Sequence, residues 1–263
     1  MAETRQLYVC VYRRHIPTAA QWRSTVQAAD GDPRLRQFLD EYWRKDRYFD
    51  WGDDPAFFAA RETFGDPRHA SWAVCRPNVR TALREGDGVA FFCGKQALRA
   101  QGGAYRPAGP YDYFYVGCGA VGRLVERVEL WHDKRLAPYR SFYNTLARPN
   151  ATGALEQHET FLPYHPNWRD RASSPLVLFD LEHSAFNLDD PHPVAHYEPD
   201  SGPPERWRAD RTSRKLERLL FDGTTRRLRT SKTGFAHAHR RLRLAERDFE
   251  ELRDALVSLA KGS

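Results

Sequence analysis

The chain has 263 residues, of which 41% are hydrophobic and 29% are charged, and its formal net charge is +6. This apolar fraction supports a folded core, and no apolar run approaches the length of a membrane span. The four cysteines are too widely spaced for a zinc ribbon, and we expect no metal site and no cofactor. Because the chain opens without a charged and then apolar leader, we expect a cytoplasmic protein with reduced thiols and no membrane partner.

The positive charge lies almost entirely near the end of the chain. Residues 205–263 hold 16 Lys/Arg and 9 Asp/Glu, whereas residues 1–204 hold 25 basic and 26 acidic residues. This asymmetry predicts an anionic partner, with nucleic acid the first candidate, although a solvated basic helix face has the same composition. We therefore predict a domain over residues 1–204 and a basic helical extension over residues 205–263.

The first half of the chain predicts strands at its start and in its centre. Residues 6–12 form an apolar run, which is typical of a central strand, and helical patterns follow from Ala19 and from Pro33. Residues 70–94 indicate an apolar strand, a helical turn, a tight turn and a second apolar strand. Pro77 suits the first turn of a helix because its missing N–H has no partner there, and Gly86 tolerates the positive φ of a tight turn.

The second half alternates strands with connections rich in Gly, Pro and His. Predicted connections cover residues 101–112, 146–174 and 189–204, the second with short helical pieces, and predicted strands cover residues 113–121 and 175–180. From Arg206 onward the apolar residues recur at helical spacing, which predicts helices. These residues are Leu216, Leu219, Leu220, Phe249, Leu252, Leu256 and Leu259.

Two short motifs stand out in the block at residues 70–94: Cys75-Arg76-Pro77-Asn78-Val79-Arg80 and Gly86-Asp87. They resemble the signature of the nucleotide modification associated domains of phage and bacterial DNA-modification operons, most closely the second type. Residues 113–121 resemble that family's next strand, and residues 175–180 with Ala185-Phe186 resemble its closing strand. The resemblance covers about residues 5 to 200, and it extends more distantly to the PUA, EVE and ASCH barrels, which bind RNA or modified DNA bases.

The resemblance implies an α/β (α+β) fold: a PUA-like mixed β-barrel with helices packed around it, followed by the basic helical C-terminal extension. In such a fold the run Gly117-x-Gly119-x-x-Gly122 is a strand whose glycines permit close backbone approach or a bulge. The same run matches a dinucleotide-binding fingerprint, but no clear βαβ unit surrounds it. We therefore expect a strand here.

The resemblance and the basic charge together predict binding of nucleic acid or a nucleotide, with recognition of a modified base in a DNA-modification or defence context. Base recognition needs flat apolar walls, polar groups for the base edge and positive charge for phosphates. We predict Trp72, Tyr113 and Tyr115 as walls and Asn78 as the partner of the base edge. The predicted phosphate contacts are Arg76, Arg80, Arg123, Arg214, Lys215, Arg226, Arg227, Arg229 and Lys232.

Two other functions remain open at this stage. A carboxylate beside a histidine can perform acid–base chemistry, so Asp180, Glu182 and His183 are candidate catalytic residues of an enzyme that modifies a nucleotide base. The same segment also fits a capped turn, in which Asp180 and Ser184 accept backbone N–H groups. Alternatively, the basic extension could bind an acidic protein partner as part of a scaffold. The oligomeric state stays open.

Overall fold

The computed structural model describes residues 4–13, 70–73, 75–101, 104–140, 147–157, 168–187, 190–197, 208–209, 230–231, 234–235 and 240–262. The strands are β1 (Thr4–Arg13), β2 (Ser71–Trp72), β3 (Gly88–Gln101), β4 (Ala104–Val125), β5 (Ala147–Pro149), β6 (Leu155–Gln157), β7 (Leu176–Phe186), β8 (His192–Tyr197), β9 (Arg208–Ala209), β10 (Thr230–Ser231), β11 (Gly234–Phe235) and β12 (Arg240–Ala245). The helices are α1 (Pro77–Ala82), α2 (Arg127–His132), a 3-10 helix (Lys134–Tyr139), α3 (Trp168–Ala172) and α4 (Glu246–Ala260). None of these helices is both long and apolar enough to cross a membrane.

Eight of the strands form one open sheet. Its main path runs β12–β1–β3–β4–β7–β2, and β8 pairs with β4 and with β9. β1 and β3 are parallel, and the other pairings in this sheet are antiparallel. The fold is thus mixed α+β, but the predicted barrel is wrong. A barrel closes only when its two end strands pair, and within the described ranges β12 pairs with β1 alone and β2 pairs with β7 alone.

β1 is buried on both faces, as its unbroken apolar run predicts. Leu7 and Val9 lie on the face covered by α4, in one cluster with Phe249. Tyr8 and Cys10 lie on the opposite face, in a second cluster with side chains of β2 and α1. Burial of a large apolar side chain contributes about 1.5–3 kcal/mol. The first strand is therefore the centre of the core, with a helix packed on each side.

β3 and β4 form a long antiparallel hairpin. Their register runs from Gly88 opposite Ala120 to Gln101 opposite Ala104. The loop predicted over residues 101–112 is therefore wrong for residues 104–112, which continue β4. The Gly and Pro content indicated a loop, but pairing with β3 satisfies most backbone groups of this segment and keeps it extended.

The end of the chain belongs to the same core. β12 pairs antiparallel with β1, and α4 follows it directly. The apolar stripe predicted for this helix is confirmed, since Phe249, Leu256 and Leu259 are buried and Leu252 packs against their cluster. A wholly helical extension is wrong for residues 240–245, where alternating Arg and Leu suit a strand. The domain boundary at residue 204 stays a prediction.

Gly117 lies at a bulge in β4. Phe91 pairs with Gly117 but Phe92 pairs with Tyr115, so β4 holds one extra residue at this point. Gly117 has φ 153°, and a Cβ atom there would lie 2.1 Å from the carbonyl oxygen of Ala185. The close backbone approach predicted for the glycine run is thus confirmed, and the run lies in a strand.

Candidate nucleic-acid interface

α1 lies against β1 and is attached to it at both ends. At its start, Arg76 Nη2 donates to the carbonyl oxygen of Val11 at 2.9 Å. After its end, the Asp87 carboxylate accepts from the backbone N–H of Gln6 at 2.9 Å and from that of Arg84 at 2.8 Å. β1 therefore positions both the helix and the turn that follows it.

Asp87, in the predicted Gly-Asp turn, has a structural role that was not predicted from the sequence. It is 2% exposed, and this burial raises the pKa of its carboxyl above the usual value, although the hydrogen bonds from Gln6 and Arg84 act in the opposite direction. The backbone of the turn also bonds to β4, since the Val121 N–H donates to the Asp87 carbonyl oxygen at 2.8 Å. The preference of Asp for turns in which its side chain accepts backbone N–H groups is the signal that could have identified it.

α1 has one buried face and one exposed face. Val79 and Leu83 are buried in the cluster beneath the helix, whereas Asn78 is exposed. The amide of Asn78 has both donors and an acceptor, which is why the sequence predicted it as the partner of a base edge. The structure places this side chain where a ligand in solvent can reach it.

Arg76 precedes α1 in the left-handed conformation, with φ 59° and ψ 52°. Within the described ranges it is the one residue other than glycine that has a positive φ. This conformation is unfavourable by about 1–2 kcal/mol for a residue with a Cβ atom. The surrounding contacts, including the bond to Val11, therefore hold Arg76 beside Asn78 in a strained conformation.

Arg80 is fully buried and does not reach the surface where a phosphate contact was predicted. Its Nε donates to the carbonyl oxygen of Cys75 at 3.1 Å, and its Nη2 donates to that of Arg171 at 3.0 Å. Its Nη1 donates to the carbonyl oxygens of Ser174, at 3.1 Å, and of Pro175. The planar guanidinium matches several acceptors at once, so Arg80 joins α1 to the segment that leads into β7.

Two of the predicted pocket walls also lie in the core. Trp72 is fully buried, with its ring edge-on to that of Phe91 at 5.4 Å between centroids. Tyr115 is fully buried, and its hydroxyl donates to the carbonyl oxygen of Leu256 at 2.9 Å. Large aromatic rings on strands covered on both faces contribute most by packing, so neither ring offers a free face to a base. Tyr113 belongs to β4, but its side chain is outside what the structure describes.

The remaining predicted phosphate contacts divide into two groups. Arg123 forms an ion pair with Glu129 of α2, and the two side chains are 39% and 38% exposed. A phosphate at Arg123 would therefore compete with this carboxylate. The other six lie outside the described residues: Arg214, Lys215, Arg226, Arg227, Arg229 and Lys232.

Three exposed arginines flank the start of β1 on its two sides. They are Arg84, in the turn after α1, and Arg241 and Arg243 of β12. We call these three residues the basic edge. None of the three was predicted from the sequence as a binding residue, although the alternation of Arg and Leu in residues 241–244 was the signal of an exposed basic strand face.

The three predicted catalytic residues lie at a bulge in β7. Ala120 of β4 pairs with Asp180 and Cys118 pairs with Ala185, so residues 181–184 stand opposite Gly119 alone. Ser184 Oγ accepts from the Ala120 N–H at 2.9 Å and donates to the Asp180 carbonyl oxygen. Asp180 Oδ1 accepts from the Glu182 N–H at 3.0 Å, so Asp180 and Ser184 both accept backbone N–H groups as predicted, although in a bulged strand and not in a turn.

Asp180, Glu182 and His183 lie together at the surface of this bulge. His183 Nδ1 is hydrogen-bonded to Asp180 Oδ2 at 2.8 Å, and the two side chains are 46% and 41% exposed. The hydrogen bond from His183 lowers the pKa of the Asp180 carboxyl below its usual value. One potential ligand atom from each of the three residues lies within 4.8 Å of the others. The set can orient an imidazole for proton transfer, and its oxygen and nitrogen atoms are also of the types that bind divalent metal ions.

The buried cysteines behave as apolar core residues. Cys10, Cys93 and Cys118 are buried in β1, β3 and β4, as the apolar strands around them predict, and Cys75 is partly buried. Burial raises the pKa of the Cys10 and Cys118 thiols to about 12. These two thiols stay protonated near neutral pH, which makes them poor nucleophiles and poor metal ligands.

Comparisons with known protein families, with curated proteins and with solved structures found no match to this chain. The function proposed below is therefore supported by the sequence and by the geometry of the described residues.

Proposed function

We propose that this chain binds nucleic acid or a nucleotide and recognises a modified base, in a DNA-modification or defence setting. The observation that carries the proposal is the start of α1, where an exposed Asn78 lies two residues after the strained Arg76. Strained backbone conformations concentrate at ligand sites because the surrounding structure must fix the geometry of the groups that bind. The setting comes from the resemblance to the nucleotide modification associated domains.

The chemistry assigned to Asn78 is recognition of a base edge. Its side-chain amide offers a donor and an acceptor at fixed separation, and Asn pairs with an adenine edge through two such bonds. Trp72 and Tyr115 are no longer assigned as walls of the base site, because both rings are buried. Tyr113 keeps its predicted role as a wall.

The test is binding of short oligonucleotides with and without modified bases. We expect the wild type to discriminate between them, and we expect Asn78→Asp to reduce the discrimination by about 5- to 150-fold, since one good base contact contributes about 1–3 kcal/mol. Asn78→Asp is nearly isosteric and exchanges the amide donors for acceptors. Asn150→Asp, at another exposed asparagine, is the matched control. Equal discrimination by the wild type and Asn78→Asp would contradict the proposal.

A second candidate function is supported by the Asp180–His183 hydrogen bond, which is an arrangement used in acid–base catalysis. An enzyme of this kind would convert a nucleotide base, and His183→Ala would abolish turnover while the protein stays folded. His132→Ala, which removes an exposed histidine at the end of α2, is the control. Product analysis by mass spectrometry after incubation with free nucleotides distinguishes conversion from binding alone.

A further inference from the structure

β12 separates its apolar and basic residues onto opposite faces of the sheet. Leu242 is buried in the cluster under α4, whereas Arg241 and Arg243 are exposed. Alternate residues of a strand lie on the same face, about 6.8 Å apart at a rise of about 3.4 Å per residue. The two arginines therefore form a short basic row on the face opposite α4, which is the face that carries α1.

β1 connects this row to the turn after α1. Arg243 pairs with Gln6 and Arg241 pairs with Tyr8 in the β1–β12 register. Asp87 joins the backbone N–H of Gln6 to that of Arg84 through its two carboxylate oxygens. β1 lies between β12 and β3 in the sheet, so Arg84, in the turn before β3, and Arg243 flank the start of β1 on its two sides.

Ion pairing distinguishes Arg84 and Arg243 from other exposed arginines. Arg135, Arg148 and Arg247 form ion pairs with Asp133, Glu156 and Glu251. Within the part of the chain that the structure describes, neither Arg84 nor Arg243 forms an ion pair. The acidic residue nearest to Arg84 in sequence is the exposed Glu85, and the one nearest to Arg243 is Glu246, which pairs with Arg5. The carboxylate of Asp87 is buried and bound to backbone N–H groups. The edge thus carries a net positive charge at the surface.

We infer that the basic edge binds the phosphate backbone of a nucleic acid whose modified base is recognised at Asn78. This inference rests on the proposed function, and it adds that the ligand is a polynucleotide with several phosphates, as opposed to a free nucleotide. Arginine is well suited to the task because its guanidinium forms paired hydrogen bonds with phosphate oxygens. Phosphate contacts position the chain along the nucleic acid, while the base contact supplies the specificity.

The experiment measures the salt dependence of binding to a fluorescein-labelled single-stranded 20-mer (about 20 nucleotides), by fluorescence anisotropy. Each phosphate contact to a single strand contributes about 0.7 to the slope of log K against log salt concentration. We expect the triple variant Arg84→Gln/Arg241→Gln/Arg243→Gln to reduce this slope by about 2. The triple variant Arg135→Gln/Arg148→Gln/Arg247→Gln removes the same charge from exposed, ion-paired positions, and we expect it to leave the slope unchanged. Circular dichroism melts verify that both variants are folded.

Each outcome bears on the inference. The inference is overturned if the slope falls equally in both triple variants, or if it does not fall in the basic-edge variant. It is also overturned if polyglutamate displaces the labelled 20-mer as well as the unlabelled 20-mer does, since that would assign the edge to an acidic protein. If the slope falls as expected but Asn78→Asp discriminates like the wild type, the proposed base recognition fails and the phosphate contact stands. If discrimination depends on Asn78 but the slope does not change, the inference alone fails. No binding by the wild type at low salt overturns both.

Discussion

Arg80 of α1 and Arg127 of α2 donate to the same acceptor, the carbonyl oxygen of Ser174, at 3.1 and 3.3 Å. Both side chains are buried, and Arg127 also donates to the carbonyl oxygen of Ala73 beside β2. Two cations thus join α1, α2 and the edge strand β2 to the segment that begins β7. Guanidinium groups stabilise such a junction because one side chain can satisfy several backbone carbonyls at once.

Loss of this junction should strongly destabilise the fold. Arg80→Ala leaves several buried carbonyl oxygens without a donor and opens a cavity, so we expect the free energy of unfolding to fall by about 3–5 kcal/mol. Arg84→Ala, at an exposed arginine only four residues away, should change it by less than about 0.5 kcal/mol. Urea denaturation followed by tryptophan fluorescence measures both values. Similar losses for the two variants would refute the structural role of Arg80.

The bulge at Gly117 should not tolerate a side chain. Gly117→Ala places a Cβ atom 2.1 Å from a backbone oxygen that cannot move independently, so we expect a loss of about 3 kcal/mol or more. Gly153→Ala is the control, because Gly153 also has a positive φ of 82° but has no atom within 4 Å of the added Cβ. That control should lose about 1 kcal/mol. Thermal melts of the two variants should therefore differ clearly, and equal melting temperatures would argue against the close approach of β4 and β7.

Ser184 should stabilise the β7 bulge through its hydroxyl. In Ser184→Ala the backbone N–H of Ala120 loses its acceptor inside the sheet, and we expect a loss of about 1–3 kcal/mol in the free energy of unfolding. Ser173→Ala removes an exposed hydroxyl that donates to the Asp170 carbonyl oxygen at 2.8 Å, and its effect should be within about 0.5 kcal/mol. Hydrogen exchange at Ala120 reports the local effect directly. Unchanged protection of that amide in Ser184→Ala would show that the hydroxyl is not its acceptor.

The Asp180–His183 hydrogen bond should be visible in a pH titration. Because the folded pKa of Asp180 is lowered, its ionisation contributes stability above the unfolded pKa of about 3.9, and this contribution is lost as pH falls through the folded value. In His183→Ala we expect the Asp180 pKa, measured by NMR of the carboxyl carbon, to rise toward about 3.9. The free energy of unfolding should be larger for the wild type than for this variant, and this difference should shrink below about pH 4. His132→Ala should leave the Asp180 titration unchanged, and the same pKa in all three proteins would exclude the hydrogen bond as the cause.

Several elements could be predicted from the sequence because local patterns determine them. The apolar run at residues 6–12 predicts a central strand, and β1 is buried on both faces. Pro77 predicts the start of α1, and the stripe that contains Phe249 and Leu256 predicts the buried face of α4. In each case the spacing of apolar residues, or the restricted φ of proline, favours one local structure whatever the remainder of the chain does.

The candidate site was only partly predictable. Asp180, Glu182 and His183 are close in sequence, and the structure brings them together at the surface. The basic motif around Pro77 did not indicate which of its side chains are exposed, since Asn78 is exposed and Arg80 is buried only two residues later. Two positions along a helix correspond to just over half a turn, which places these two side chains on opposite faces, and the packing partner of the buried face comes from distant parts of the chain.

Local sequence thus determined the central strand β1, the start of α1 and the apolar face of α4. Tertiary structure alone decided that β12 pairs with β1, which places Arg243 and Arg84, 159 positions apart in the chain, on the two sides of the same strand. It also decided that the sheet stays open and that Arg80, Trp72 and Tyr115 lie in the core. The physical reason is that strand pairing and burial depend on contacts between residues far apart in the sequence, which local spacing and composition do not specify.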